Sequence, residues 1–351
     1  LSTILFAEVL AALEGAAGSS RDVVRRAFDA ILSGAWTPVQ VGAFAVALRM
    51  RGEEANAIVA GAEALRGTMT AVDHELDAVL DTCGTGGDGA QTLNLSTAAA
   101  LVVAGAGVTV AKHGNRSISS RCGSADVIEA LGIPIELSPR DQSSLLRDAR
   151  IAFLFAPAHH PALRHAAQAR RELGIRTIFN ALGPLANPAR ATHQLVGVYD
   201  DALRPIAARA LSALGIVRAW VVRSDDGLDE VSPCASTTRV TEVDGEALRE
   251  RTVTPGDFGI RAVERSAIGG GDARTNAETI VRILEGERHA ARDAVLVNAA
   301  AALAVSDPSA TLTACGERAR DALTSGRARE VLETWRRLAV AAAARAAGGS
   351  T

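Results

Sequence analysis

The sequence predicts an α/β protein in which a small all-helical domain accompanies a larger α/β domain with a mostly parallel central sheet. Two patterns carry that prediction. Through the first seventy residues apolar positions recur at helical spacing, whereas from about residue 78 short apolar runs alternate with glycine turns and alanine-rich stretches. With 351 residues and 48% hydrophobic composition the chain is long enough to bury two cores.

The elements follow in order. Val23, Val24, Phe28, Ile31 and Leu32 mark one helical face, which Gly34 ends. Thr37 as N-cap with Pro38 at the first helical position starts another helix, carried by Val41, Phe44, Ala45 and Leu48 and broken at Arg51-Gly52. Residues 78–81, 108–111, 151–155, 195–198 and 219–222 are the strand candidates. A parallel sheet of such runs places its chemistry in the turns after the strands' carboxyl ends. Residues 93–111, the longest uncharged apolar run, are interrupted by Asn94, Ser96 and Thr97, and read as a buried helix and strand rather than a membrane span. Residues 340–351 read as a helix fraying into a Gly-Gly-Ser-Thr tail.

Charge and cysteine usage narrow the function. A formal net charge of −3 without runs of like charge gives no electrostatic footprint for nucleic acid. Cys83, Cys122, Cys234 and Cys315 lie far apart with no C-x-x-C pair, which argues against a disulfide framework or structural zinc and for a reducing cytoplasm. No signal peptide is recognisable, and Leu at position 1 implies a trimmed N-terminus.

Three turns carry the chemistry. In Gly84-Thr85-Gly86-Gly87-Asp88-Gly89, glycines let the backbone approach an anion and aim several N–H groups at it. The run Thr92-Leu93-Asn94-Leu95-Ser96-Thr97 then opens an alanine-rich helix, so Ser96 or Thr97 is expected to cap a positive helix N-terminus facing the same space. The next strand candidate leads into Lys112-His113-Gly114-Asn115-Arg116, and Lys112 is the only lysine in a chain that otherwise writes arginine. An ammonium is a compact point charge with three free donors, and a tight anionic pocket accepts it where it refuses a planar guanidinium. Ser117, Ser119, Ser120 and Ser124 add hydroxyl donors. A ligand with more than one phosphate engages all three turns. Asp229-Glu230, after the 219–222 run, is by itself a solvated turn as readily as a site; at a strand end it also offers the one or two carboxylates that Mg²⁺ takes alongside phosphate oxygens. His159-His160-Pro161 does not place two imidazoles on one helix face, so packed or surface histidines are expected rather than zinc ligands.

These residues resemble the anthranilate phosphoribosyltransferase family over nearly the whole chain. The shared strings include Gly34 and Thr37-Pro38-Val39-Gln40, the three turns just described, Gly123-Ser124-Ala125-Asp126 and His159-His160-Pro161. They continue through residues 171–180, Leu182-Gly183-Pro184-Leu185-Ala186-Asn187-Pro188, Asp229-Glu230 and Gly270-Gly271-Asp272. The resemblance implies transfer of the phosphoribosyl group of 5-phosphoribosyl 1-diphosphate (PRPP) to the amine of anthranilate, a step of tryptophan biosynthesis. It implies a nucleoside-phosphorylase-like fold, with residues 1–71 and 165–188 as the helical domain, 72–164 and 189–351 as the α/β domain, and a homodimer formed through the helical part.

The resemblance also assigns residues. PRPP is expected at Gly84, Gly87, Asp88, Thr92, Asn94, Leu95, Ser96, Thr97, Lys112, His113, Gly114, Asn115, Arg116, Ser117, Ile118, Ser119, Ser120 and Ser124. Anthranilate is expected at Gly84, Asn115 and Arg170, with His113, His160 and Pro184 along its path, and Mg²⁺ at Ser96, Asp229 and Glu230. Arg170 offers a fork for a carboxylate and Asn115 an amide for an aromatic amine. No residue is assigned as an acid or base; Lys112, Asp88 and Asp229 are expected to stabilise the transition state and the departing diphosphate. Two alternatives stand beside this reading. A pyrimidine-nucleoside phosphorylase should lack Arg170 and the Asn115 segment, and a silent nucleic-acid-binding relative sits badly with the net charge. Ser120-Arg121-Cys122-Gly123 departs from the family's frequent Ser-Lys-Ser-Gly, and Cys122 is expected to be a small packed residue rather than a redox thiol.

Overall fold

A computed structural model describes residues 4–15, 20–86, 89–117 and 121–348. Four helices come first: α1 (Phe6–Glu14), α2 (Arg21–Leu32), α3 (Pro38–Arg51) and α4 (Ala55–Thr68). The Thr37-Pro38 start signal is realised as a capping box: the Thr37 N–H donates to Gln40 Oε1 at 2.9 Å and the Gln40 N–H to Thr37 Oγ1 at 3.4 Å. Then follow β1 (Leu80–Gly84), α5 (Leu95–Gly105), β2 (Val110–Gly114), α6 (Ser124–Ala130), α7 (Pro139–Asp148) and β3 (Ile151–Phe155). The short α8 (Ala156–His159), α9 (Arg164–Leu173) and α10 (Ile178–Leu182) lead to β4 (His193–Gly197), α11 (Leu203–Ala213) and β5 (Arg218–Ser224). A hairpin of β6 (Thr238–Asp244) and β7 (Ala247–Val253) precedes α12 (Ala273–Leu284), α13 (Arg292–Ser306), α14 (Leu312–Thr324) and α15 (Arg327–Gly348).

The seven strands form one sheet in the order β3-β2-β1-β4-β5-β6-β7. All five expected strands are there and mutually parallel; β6 and β7, which sequence reading missed, extend the edge antiparallel. The C-terminal helix does not fray from residue 340: α15 is continuous to Gly348. Strand order reverses direction between β1 and β4, where Gly84 stands opposite Gly197. At such a switch point the crossover connections leave on opposite faces of the sheet, and the crevice between them opens at the strands' carboxyl ends.

One core lies on each face. Alternate residues of β5 divide between them: Trp220 and Val222 join the core with α5, α13, α14 and α15, while Ala219 and Val221 join the one with α2, α3, α4 and α11. Helix α5 is apolar all round and is buried nearly all round, as its composition requires. Ala166 and Ala169 of α9 and Ile178, Phe179 and Leu182 around α10 pack into the same core as α2–α4, so the chain returns to the helical layer between β3 and β4.

Candidate active site

The crevice at the switch point is closed by a sequence of glycines. A Cβ on Gly84 would lie 2.9 Å from Asp229 Oδ2, and one on Gly197 would lie 1.5 Å from the Asp229 carbonyl oxygen. At the end of β4 only glycine lets the backbone of the acidic loop fold over the sheet, and at the end of β1 a side chain would displace the Asp229 carboxylate. Beyond β1, the Thr85 N–H donates to Gly197 O (2.9 Å), the Tyr199 N–H to Thr85 Oγ1 (3.0 Å) and the Gly86 N–H to Asp229 Oδ2 (3.0 Å). The glycine-rich turn is thus tied to the acidic loop. Gly87, Asp88, Ile118, Ser119 and Ser120 lie outside the described residues.

The helix after this turn begins two or three residues earlier than expected. Asn94, not Ser96 or Thr97, occupies the N-cap of α5, and its side chain makes no cap bond. The side chains of Leu95 and Thr97 are buried, while Thr92, Asn94 and Ser96 are half-buried. Lys112 is 2% exposed, far deeper than a surface anion ligand. Its Nζ donates to Thr82 O at 2.6 Å and to Ser96 Oγ at 3.2 Å, so two of its three protons tie β2 to β1 and to the start of α5. Burial pulls its pKa down, against the opposing pull of Asp81, Cys83 and Glu230.

His113, the next residue, faces the other side of the sheet. Its backbone N–H donates to Asp81 Oδ1 (3.1 Å), and its Nδ1 meets Gly183 O (3.1 Å), which fixes the proton on Nδ1 and leaves Nε2 as an acceptor. The His160 ring lies 5.1 Å away. Burial holds His113 well below the usual imidazole range and His160 down to about 4, so both are neutral at pH 7. His159 is different: its Nδ1 is bonded to Thr70 O (2.7 Å) and its carbonyl accepts from the Thr70 N–H (2.8 Å), pinning the link between α4 and β1. Pro184 is buried beside them, its carbonyl held by Gln194 Nε2 at 2.7 Å.

Arg170 of α9 lies 5.8 Å over the Phe179 ring, and among the described residues no carboxylate pairs with it. Burial lowers its pKa. A half-buried guanidinium without a counter-charge is partly desolvated at a cost that a bound carboxylate would offset. The remaining loop is tied back to α6. The Arg116 guanidinium pairs with Asp126 (2.9 Å) and Glu129 (2.5 Å), so its charge is engaged away from the crevice. Ser124 Oγ donates to Asn115 O (3.3 Å), and the Ser117 and Gly123 N–H groups donate to Asp126 Oδ2. A Cβ on Gly114 would strike Ser124 Oγ at 2.2 Å. Burial pushes the Cys122 thiol up to about 11, which keeps it protonated and agrees with a packed residue.

Ser96, Asp229 and Glu230 line one small crevice together with Thr82, Cys83 and Asn298. Among the described residues no group of three His, Cys, Asp or Glu side chains converges as a complete metal cage. Two carboxylates and a hydroxyl are an all-oxygen, deliberately incomplete set, and such a set fits Mg²⁺ that shares a substrate's phosphate oxygens.

Three buried supports escaped the sequence reading. Asp81, fully buried, accepts from Asn187 Nδ2 (2.8 Å), which also donates to Ala111 O (2.8 Å). Burial raises its pKa. Asn298, a lone amide in the apolar helix α13, exchanges hydrogen bonds with the Val231 backbone at 3.1 Å each and so holds the acidic loop. Asn276 of α12 reaches Asn94 Oδ1 at 2.9 Å. A polar residue inside an apolar run was the available signal for Asp81 and Asn298.

Known proteins share this sequence pattern and fold. Two family models match, the glycosyl transferase family helical bundle domain over residues 13–69 and the glycosyl transferase family a/b domain over residues 76–329. The anthranilate phosphoribosyltransferase of Myxococcus xanthus is 50% identical over 327 residues, covering 93% of this chain and 96% of that one. That of Brevibacillus brevis is 46% identical, covering 91% and 94%. The crystal structure of the Thermus thermophilus enzyme superposes with a TM-score of 0.88 at 38% identity, covering 94% of this chain and 98% of its own. The Saccharomyces cerevisiae enzyme in complex with PRPP and Mg superposes with a TM-score of 0.86 at 28% identity, covering 95% and 98%. On these matches of sequence and fold, the chain belongs to the anthranilate phosphoribosyltransferase family.

Proposed function

We propose that the crevice holds the two substrates on opposite sides of β2: PRPP on the side of Ser96 and the glycine-rich turn, anthranilate on the side of His113, His160, Pro184 and Arg170. The activity is that of the family: the amine nitrogen of anthranilate forms a bond to ribose C1 as the bond from C1 to the diphosphate oxygen breaks, giving N-(5-phosphoribosyl)anthranilate and diphosphate. The amine's surplus proton departs afterwards to water or product. A neutral aromatic amine is already nucleophilic, so a strong base is not needed. The observation that carries this reading is the change of side between Lys112 and His113, which sets a charged, hydrogen-bonded wall against a neutral, apolar one.

The chain's own groups then do identifiable work. Lys112 holds Ser96 and the end of β1 in register and supplies positive charge beneath the phosphates. Gly84, Gly87, Asp88, Thr92, Asn94 to Thr97 and residues 113–120 with Ser124 present backbone and hydroxyl groups to PRPP. Arg170 receives the anthranilate carboxylate, with Gly84 and Asn115 near its amine, and the neutral imidazoles leave that monoanion without a competing cation. Ser96, Asp229 and Glu230 would hold Mg²⁺, which when bound neutralises the diphosphate as it leaves.

The same reading treats residues 1–71 with 165–188 as one helical unit and 72–164 with 189–351 as the α/β unit; the helical elements share a core that α11 and residues of β4 and β5 complete from the α/β side. A homodimer formed through the helical part belongs to the same reading, and Val39 and Met50 of α3, 81% and 83% exposed, lie on that part. No helix among the described residues is long and apolar enough to cross a membrane, and a cytoplasmic enzyme is the proposed setting. The test is the loss of anthranilate fluorescence with purified protein, PRPP and Mg²⁺, repeated with each component omitted. Loss that needs every component supports the proposal; loss that proceeds without Mg²⁺, or no loss from folded protein, overturns it.

A further inference from the structure

The string Gly270-Gly271-Asp272 has no role in the chemistry described so far, yet it is built against the site. Its segment runs beside the second turn: Gly269 bridges Thr92, the Leu93 N–H donates to Ile268 O (2.8 Å) and the Gly270 N–H to Gln91 O (2.9 Å). A Cβ on Gly270 would lie 2.5 Å from Thr92 O, so the close approach requires glycine. Asp272 caps α12 by accepting from the Thr275 N–H at 2.8 Å, and one turn later α12 presents Asn276, which is 2% exposed.

Asn276 stands in a relay whose direction is fixed at both ends. The Gly271 backbone N–H can only donate, and it meets Asn276 Oδ1 at 2.7 Å. The Cys122 carbonyl can only accept, and Asn94 Nδ2 meets it at 3.3 Å. Between them Asn276 Nδ2 donates to Asn94 Oδ1 at 2.9 Å. Turning either amide over sets donor against donor or acceptor against acceptor at the two contacts just named; the Cys122 thiol, which also bonds Asn276, can donate or accept and does not set the direction. The relay also explains why Asn94 sits at the N-cap of α5 without capping it.

We propose that Asn276 is a positioning residue that fixes the flip of the Asn94 amide, so that Asn94 turns its N–H edge rather than its carbonyl oxygen toward the phosphates of PRPP. Asn94 Nδ2 uses one hydrogen on Cys122 and keeps the second for the ligand; the opposite flip would set a carbonyl oxygen against a polyanion. The inference rests on the reading of Asn94 as a PRPP-binding residue.

Steady-state kinetics with both substrates and thermal melts of Asn94→Ala, Asn276→Ala and the double variant test it. Each single change is expected to raise KM for PRPP about 10-fold, as for loss of a hydrogen bond to a charged group, with KM for anthranilate within about two-fold. In the Asn94→Ala background, Asn276→Ala should add less than about two-fold, because it acts through a side chain already gone. Asn276→Asp should be worse than Asn276→Ala, since its carboxylate accepts at both contacts, draws Asn94 Nδ2 to itself and turns Asn94 Oδ1 onto the Cys122 carbonyl. An Asn94→Ala enzyme with unchanged KM for PRPP overturns the reading of Asn94 itself. Two single effects that multiply in the double variant, a silent Asn276→Ala beside a defective Asn94→Ala, or a lower melting temperature with unchanged KM, overturn the inference and leave that reading standing. If Asn276→Ala does not fold, Asn276→Ser, which keeps a polar group but lacks the amide, carries the same comparison.

Discussion

The two walls of the crevice are built on adjacent residues of β2 and differ in almost every electrostatic respect. On the Lys112 side, charge is abundant and tied down: the ammonium on Thr82 and Ser96, Asp229 on the Gly86 N–H, and the loop bearing Glu230 on Asn298. On the His113 side stand two imidazoles held neutral and buried Pro184, and the proposal adds Arg170, a guanidinium over the Phe179 ring without a carboxylate partner among the described residues. The period-two alternation of a strand is enough to separate them. On the proposed assignment, the difference teaches how one crevice would sort two anions: a polyanion met by several oriented donors, a planar monoanion by one half-buried cation.

The largest effect that would break this comparison comes from the lone lysine. Lys112→Arg cannot seat a planar fork where a 2% exposed ammonium now meets Thr82 O and Ser96 Oγ. kcat/KM for PRPP should fall about 100-fold, in the range seen when one transition-state donor is lost. Full activity in that variant would show that the charged wall tolerates any cation.

Removing the Arg170 guanidinium proposed for the other wall should cost somewhat less. Arg170→Ala is expected to raise KM for anthranilate about 30-fold, a charge-assisted hydrogen bond's worth, with KM for PRPP little changed. Initial-rate kinetics with each substrate varied in turn read both numbers.

Acid sharpens the contrast because the histidine wall must stay neutral. An unfolded chain takes up protons below the usual 6.5, whereas His160 in the folded chain waits until about 4. The folded pKa is lowered, so stability is intact above pH 6.5 and falls as pH drops from 6.5 toward 4, by on the order of 3 kcal/mol for His160 alone. Urea melts at pH 7 and pH 5 should register that loss, and His160→Gln should reduce it. The smallest effect belongs to Cys122→Ser: a protonated, packed thiol predicts less than about a two-fold change in any kinetic constant.

Much of this was legible in the sequence, unevenly and for physical reasons. The five parallel strands announced themselves as apolar runs because both faces of that sheet are buried. Strand β7 did not, since Ala247 to Thr252 are all exposed and carry charge instead of an apolar alternation. Lys112 was conspicuous as the only lysine, but its depth was not, because nothing in a list of residues reveals that Thr82 and Ser96 close over it. Arg116 read as one more cation near a phosphate; only the fold brings Asp126 and Glu129 to it. The supports at Asp81, Asn187, Asn276 and Asn298 join residues more than thirty apart or sit alone in a helix, and spacing carries no trace of such pairings.

The division of the crevice into two walls is tested most directly by the four KM values of a pair of variants, Asp229→Asn on one side and Arg170→Ala on the other, read from anthranilate fluorescence at saturating Mg²⁺. The account predicts a crossed result: Asp229→Asn raises KM for PRPP at least about ten-fold and leaves anthranilate within about two-fold, and Arg170→Ala does the reverse. If either variant raises both constants by similar factors, the two substrates share one wall and the account is wrong.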